Sequence, residues 1–236
     1  MNVDIIVPVY NEQEILTATI RKLVDTFKPE QEFIYRIIIA DNGSTDNTLK
    51  IAKELAKRFS NVKYLHTPIK GRGYVLRLGW SKSNADILCY IDADLSTNPQ
   101  YLKEMIKKMV NEGFEIATCS KHLKNSKTTR SLIRKILSLG YCFIVRTMFN
   151  SKISDFQGGC KAITKSTIKK LLPLVRDNNW FFDTELLILG EKLNHKILEY
   201  PIICIDKRRG KVKILSTIYT FIIKIIELKV RLTKLS

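Results

Sequence analysis

No run of about 18 uninterrupted apolar residues occurs in this 236-residue sequence, which argues against a membrane-spanning helix. Cysteine is sparse and odd in number: Cys89, Cys119, Cys142, Cys160 and Cys204 form no CxxC pair, and most sit inside apolar runs. That excludes a disulfide framework or a zinc ribbon and predicts reduced, packed thiols of a cytosolic compartment. Only three histidines are present, His66, His122 and His195, and none stands at metal-ligand or triad spacing. They are expected to be solvated or packed rather than catalytic. There is no Gly/Ser-rich or Pro-rich tract, no low-complexity run and no repeat, so neither disorder nor a solenoid is expected. The opening residues Met1-Asn2-Val3-Asp4 carry no basic segment followed by an apolar stretch, and no signal peptide is expected.

Acidic residues are missing where basic ones are dense. Residues 121–152 hold eight Lys/Arg and no Asp or Glu, and residues 206–236 hold nine Lys/Arg against Asp206 and Glu227. These two stretches supply nearly all of the net charge of +17. Charge concentrated in this way implies an anionic partner: nucleic acid, anionic lipid or a phosphorylated substrate.

What remains is a chain long enough for one well-buried domain, with an ordinary hydrophobic fraction of 45%. Apolar β-branched runs read as strands at Val3 to Val9, Ile37 to Ala40, Val62 to Leu65, Ile87 to Ile91 and Phe114 to Thr118. Helical spacing fills the intervals: Glu12 to Phe27, Thr45 to Phe59, Tyr74 to Ser83 and a helix opened by Pro99. This alternation predicts an α/β fold, a mostly parallel sheet with helices on both faces. Beyond residue 119 come a basic loop, Lys121 to Thr129, a helix from Ser131 to Phe149, a turn from Asp155 to Gly159, a helix from Trp180 to Leu193 and a strand from Ile197 to Ile205. In the last segment, Ile214 to Leu235, residues Thr217, Thr220, Lys224, Glu227, Arg231 and Lys234 form one polar stripe on an otherwise apolar helix. Such a helix suits a membrane interface; packing on the domain or on a second subunit is the alternative.

Ligands of open α/β sheets bind at the carboxyl ends of the strands. Three polar clusters fall there: Tyr10-Asn11-Glu12, Asp41-Asn42-Gly43-Ser44 and Asp92-Ala93-Asp94. Two carboxylates at i and i+2 past a buried strand are hard oxygen ligands that suit Mg²⁺ or Mn²⁺ shared with a diphosphate. Asp41 can accept hydrogen bonds from a base edge, while Ser44 or Thr45 can cap the next helix.

Val7-Pro8-Val9-Tyr10-Asn11-Glu12, Asp41-Asn42-Gly43-Ser44-Thr45-Asp46 and Asp92-Ala93-Asp94-Leu95-Ser96, in this order and spacing, resemble the inverting family 2 glycosyltransferases of the GT-A fold. Ser120-Lys121, Arg130-Ser131-Leu132-Ile133-Arg134-Lys135, Asp155-Phe156-Gln157-Gly158-Gly159-Cys160-Lys161 and Trp180-Phe181-Phe182-Asp183-Thr184-Glu185 resemble the dolichyl- or polyprenyl-phosphate hexose synthases within that family. The resemblance runs from about residue 3 to 213. It implies a catalytic domain over 1–213, with a nucleotide-sugar half (1–119) and an acceptor half (120–213), followed by the amphipathic helix at 214–236. It implies that Pro8, Tyr10, Glu12, Asp41 and Asp92 hold the nucleotide-sugar and that Asp94, with Asp92 beside it, binds the metal. Lys121, Arg134, Ser138 and Arg209 are then the acceptor-phosphate residues, and Asp92, Asp94 and Arg134 the catalytic set. Lys121 stands where the family usually has arginine, and Ser96 where mannose-type members often have glutamine. Phe156 and Cys160 depart from the family's Asp-Thr-Gln-Cys-Gly-Phe-Lys pattern, and Val212 replaces the serine of its closing Gly-Ser-Lys segment.

The expected reaction moves glucose or mannose from a UDP- or GDP-sugar to a polyprenyl or dolichyl phosphate at the cytoplasmic face of a membrane. A lipid monophosphate is already anionic, so its oxygen attacks without a strong base, and Asp183 and Glu185 are expected to be structural or to orient the arginines. Two alternatives stay open here. A soluble glycan or sugar acceptor requires a strong base; a nucleic-acid-binding protein leaves the Asp-x-Asp unexplained.

Overall fold

The computed structural model describes residues 1–129, 131–205 and 214–233, with backbone only for 214–218. Arg130, Arg209 and Val212 lie outside the described residues, as does Lys234. The strands are β1 (Asn2–Val9), β2 (Ile34–Asn42), β3 (Val62–Thr67), β4 (Ile87–Ile91), β5 (Ile116–Ser120), β6 (Lys127–Thr129), β7 (Cys160–Thr164), β8 (Ile197–Pro201) and β9 (Ile203–Ile205). The helices are α1 (Leu16–Thr26), α2 (Thr48–Arg58), α3 (Arg72–Lys82), α4 (Pro99–Asn111), α5 (Leu132–Phe149), α6 (Lys165–Leu171), α7 (Phe182–Lys192) and α8 (Ile214–Thr233).

Seven strands form one sheet in the order β3-β2-β1-β4-β7-β5-β8. All neighbours run parallel except β7, which is antiparallel to both β4 and β5. Strands covered on both faces must be apolar on both, and β1 shows it: Val3, Ile5 and Val7 face one core while Ile6 faces the other. Residues of α1, α2 and α4 fill the first core; residues of α3, α5, α6, α7 and α8 fill the second. The expected α/β architecture is therefore present, with helices on both faces.

Three local readings change. β7 and α6 lie between the expected turn at Asp155 to Gly159 and the expected helix from Trp180, where no element was expected. β7 has a lysine, Lys161, at its second position, fully buried against Tyr90 and Asp183. The expected strand from Ile197 to Ile205 is two strands in two sheets. Pro201, which has no N–H for a ladder, ends β8 beside β5, and β9 pairs with β6 instead. The C-terminal helix is not a free amphipathic rod. Its Ile225 and Leu228 are buried in the second core, and Arg231 of the polar stripe pairs with Glu185 of α7, as the packing alternative requires. Tyr219, Ile222, Ile226 and Val230 stay exposed. Among the described residues no helix is long and apolar enough to cross a membrane.

Candidate active site

The sheet order puts the ends of β2, β1 and β4 side by side, so Asp41, Tyr10 and Asp92 line one edge of the molecule. β1 and β2 run in register up to Val9 opposite Asp41. Asp41 is fully buried, and His66 at the end of β3 meets its carboxylate at 2.7 Å. Pro8 is buried within β1, while Tyr10 and Glu12 are half-buried just past it. Lys70 lies 4.1 Å from the centre of the Tyr10 ring. His66 is part-exposed, and its contact with Asp41 is one that its spacing in the sequence did not show. Its partner stands 25 residues earlier, on the neighbouring strand.

At the end of β4 the chain turns sharply. Leu95 adopts a left-handed backbone (φ 45°), a conformation unfavourable for a bulky side chain and worth noticing beside a functional pair. The turn sends Asp94 into solvent, where its carboxylate accepts the Ser96 amide at 2.9 Å. Asp92 behaves differently. A third of its side chain is exposed, and its Oδ1 accepts a hydrogen bond from Arg72 at 2.9 Å. Burial pushes the Asp92 carboxyl up, and the Arg72 charge opposes that.

Arg72 is the centre of this site, and nothing in the sequence singled it out. Its other amino group donates to Asp183 at 2.6 Å, and its guanidinium lies over the rings of Tyr90 (4.6 Å) and Trp180 (5.2 Å). Gly73 makes this possible. A Cβ there would sit 2.7 Å from the Phe182 Cβ, so only glycine lets the first turn of α3 lie against the first turn of α7. Asp183 also accepts from the Tyr90 hydroxyl at 2.6 Å and faces Lys161 at 3.3 Å. Burial works to raise its pKa, but Arg72 and Lys161 outweigh it and hold the carboxyl below the usual range. Asp183 and Glu185 each pair with an arginine, Arg72 and Arg231 respectively, neither of them among the arginines expected at the acceptor phosphate.

The oxygens around the aspartate pair fit a hard divalent cation. A Cβ on Gly159 would lie 3.1 Å from Asp92 Oδ2 and 3.4 Å from Thr97 Oγ1, so this glycine keeps a small space between two oxygens. Thr97 Oγ1 is buried and has no hydrogen-bond partner. An orphaned buried hydroxyl close to the Asp92 carboxylate is a reason to expect a ligand there. A second convergence, His122, Cys142 and Asp155, brings one ligand atom from each within 4.8 Å of the others. There Lys121 already neutralises Asp155, and burial pushes the Cys142 thiol up to about 12, so that cluster is a poor cation seat.

The acceptor-side residues are only partly gathered. Lys121 is not a charge held out toward a substrate. It is buried, paired with Asp155 at 2.8 Å, and donates to the Gln157 carbonyl at 2.8 Å. It still forms one wall of a cavity shared with His122, Thr128, Lys135 and Ser138. Ser138 is half-buried on α5 and bonds His122 Nε2 at 3.0 Å. Arg134 is half-buried on the same helix, but Lys135 rather than Arg134 lines the cavity. Cavity and aspartate pair are joined through one short segment: Gln157, which Lys121 grips, lies two residues before Gly159, whose carbonyl accepts the Asp92 amide at 3.0 Å.

The chain is similar to several known proteins. Glycosyltransferase AglD of Haloferax volcanii is 30% identical over 206 residues, covering 86% of this chain and 33% of that protein. Dolichyl-phosphate beta-glucosyltransferase ALG5D of Trichomonas vaginalis is 30% identical over 223 residues, 90% of this chain and 68% of that one. The dolichyl-phosphate beta-glucosyltransferase of Dictyostelium discoideum is 31% identical over 211 residues, 84% and 64%. The chain thus spans a third of the first relative's length and about two thirds of the other two. Glucosyl-3-phosphoglycerate synthase from Mycobacterium tuberculosis, solved with Mn²⁺, uridine diphosphate and glucosyl-3-phosphoglycerate, shares the fold. Its TM-score is 0.69 at 16% identity, over 96% of this chain and 78% of that one. Residues 4–172, from within β1 to the end of α6, match glycosyl transferase family 2, and the chain belongs to that family.

Proposed function

We propose that this chain transfers a hexose from a nucleoside-diphosphate sugar to a polyprenyl or dolichyl phosphate at a membrane surface. One observation carries the acceptor half of this reading. α5 lines the basic cavity with Lys135 and Ser138 and, on adjoining positions, exposes Leu132, Ile133, Ile136 and Phe143, the last at 70%. A phosphate head with an apolar tail matches both features of one helix. The exposed Tyr219, Ile222 and Ile226 of α8 extend the apolar surface, and the basic residues of 121–152 complement an anionic bilayer. This supports peripheral association with the cytoplasmic face of a membrane.

Asp41 and Tyr10 are assigned to the nucleotide, with Pro8 and Glu12 framing them. Asp94, Asp92 and Thr97 are the oxygens assigned to Mg²⁺ or Mn²⁺, which when bound offsets the charge of the leaving diphosphate. Arg72 orients Asp92 and opposes the burial that pushes its carboxyl up. Arg134, Ser138 and, outside the described residues, Arg209 are assigned to the acceptor phosphate on the family resemblance. The cavity adds His122, Thr128 and Lys135 to that group. A phosphate oxygen then attacks the anomeric carbon as the bond to the diphosphate breaks, inverting the centre. Asp183 is too buried and too firmly paired to take a proton from a sugar hydroxyl, which favours an acceptor that arrives already ionised. The donor is UDP-glucose or GDP-mannose; the curated relatives favour glucose.

The test is direct. The protein is incubated with Mg²⁺ or Mn²⁺, a polyprenyl phosphate, and radiolabelled UDP-glucose or GDP-mannose in turn, and the lipid is extracted and counted. Label in the lipid phase from one donor is expected. Label appearing only on an added soluble glycan would sink the lipid acceptor.

A further inference from the structure

We propose that the indole of Trp180 is the platform on which the hexose ring of the donor rests. The inference builds on the nucleotide-sugar reading above and adds a sugar-contacting residue to it. The chain has two tryptophans with opposite surroundings. Trp80 is a core residue at 1% exposure, whereas Trp180 is 44% exposed. An exposed indole on a random surface is unremarkable, but this one is not on a random surface. The guanidinium of Arg72 lies over it at 5.2 Å, and the same guanidinium donates to Asp92 at 2.9 Å. The ring is therefore one side chain away from the aspartate pair assigned to the diphosphate.

Its backbone is fixed from both sides. Gln157 Nε2 donates to the Trp180 carbonyl at 3.3 Å. Asp177 accepts the amides of Asn179 (2.7 Å) and Phe182 (3.1 Å), and Glu185 accepts the Asp177 amide at 2.7 Å. The next residue, Phe181, is buried and packs edge-on to Phe221 of α8 at 5.9 Å. An exposed indole carried on so firmly held a backbone segment, with Arg72 against its ring, is a preorganised surface for a ligand.

Chemistry selects the partner. Arg72 covers one face, so the exposed part of the ring lies on the other side and the edge. A hexopyranose presents a patch of C–H groups that packs on an indole, while its hydroxyls stay free for hydrogen bonds at the rim. The nucleobase is the competing flat ligand. Its assigned contacts, Asp41 and Tyr10, lie at the ends of β2 and β1, whereas the Trp180 ring meets Arg72, whose same guanidinium donates to Asp92 at the end of β4. The acceptor's isoprenoid tail is the other candidate, and the test separates it.

Binding is measured by calorimetry in the presence of Mn²⁺ for UDP-glucose and UDP, for GDP-mannose and GDP, and for farnesyl phosphate. Trp180→Ala is expected to weaken the sugar-bearing donor roughly tenfold, about 1.4 kcal/mol, with the matching nucleoside diphosphate unchanged. Trp180→Phe is expected to restore most of the loss. Equal weakening of sugar nucleotide and nucleoside diphosphate would mean that Trp180 acts only through Arg72, and overturns the proposal. So would unchanged donor affinity, or a loss confined to farnesyl phosphate. If the unmodified protein binds neither sugar nucleotide, the nucleotide-sugar reading fails and takes this proposal with it. Donor binding that is indifferent to Trp180 removes only the proposal.

Discussion

Asp183 and Arg72 stand 111 residues apart in the chain and 2.6 Å apart in the fold, both buried. The pair joins the start of α7 to the start of α3, and through Arg72 it reaches Asp92. A buried carboxylate with two cationic neighbours and a tyrosine hydroxyl has its hydrogen-bonding capacity spoken for. It is a structural anchor of the site rather than a base. Asp183→Asn should therefore cost on the order of 3 kcal/mol in urea-induced unfolding, because Arg72 and Lys161 lose a buried counter-charge. Transfer should decline along with stability. Full stability with lost transfer would instead make Asp183 the base of a sugar-hydroxyl acceptor.

The two aspartates at the end of β4 should separate in experiment. Asp94 faces solvent, whereas Asp92 gives one oxygen to Arg72. Asp94→Ala should remove measurable Mn²⁺ dependence and cut transfer by about 100-fold or more, in the range seen when a preorganised charge-stabilising group is lost. Asp92→Asn keeps the hydrogen bond geometry and should retain weaker metal binding, with a larger loss in donor affinity. Titrating Mn²⁺ against transfer rate for both variants checks this. Identical metal curves would mean that the two carboxylates act as one unit.

Much of the first half was legible in the sequence for a physical reason. Parallel strands covered on both faces must be apolar throughout, so Val3 to Val9 and Ile87 to Ile91 announce themselves, and the Asp-Ala-Asp at a strand end follows. Arg72 does not announce itself, because its meaning lies in partners 20 and 111 residues away. β7 was hidden for the same reason: Lys161 spoils its apolar pattern and is tolerated only because Tyr90 and Asp183 receive its ammonium. Lys121 has a partner the sequence also hid. The family resemblance implied a charge for the acceptor phosphate, and in the fold Asp155, 34 residues on, pairs with that lysine while it lines the cavity. In each case the periodicity of one element is local, and the charge balance of a buried group is not.

The apolar face of α5 gives a cleaner membrane test than removal of α8. Truncation before Ile214 would also remove Ile225 and Leu228 from the core and Arg231 from Glu185, so lost binding would be ambiguous. Phe143 and Ile136 are exposed and contribute little to the fold. Phe143→Glu and Ile136→Glu should leave thermal stability within about 0.5 kcal/mol and reduce sedimentation with anionic liposomes several-fold. A matching pair at Lys50→Glu and Lys53→Glu, on α2 over the other face of the sheet, should bind as the unmodified protein does. Equal binding by all four variants would rule out the α5 face as the membrane contact.

The Lys121–Asp155 pair makes a pH prediction with a definite sign. Burial works to raise the Asp155 pKa, but the Lys121 charge and its hydrogen bonds more than offset it and bring the carboxyl to about 2. An unfolded aspartate titrates near 3.9, so the folded value is depressed. The stabilisation, on the order of 2 kcal/mol, is fully present above about pH 4 and is lost as pH falls through 2. Lys121→Met reverses the sign. Without the ammonium, burial dominates and lifts the Asp155 pKa above its unfolded value, so the variant is least penalised in acid and loses stability as pH rises through that raised value. Urea unfolding of both proteins at pH 4 and pH 7 should show a gap that widens toward neutrality, reaching about 3 kcal/mol. A gap that is constant or narrows between these pH values would mean that Asp155 finds another cation when Lys121 is gone, and that the cavity wall is less rigid than its distances indicate.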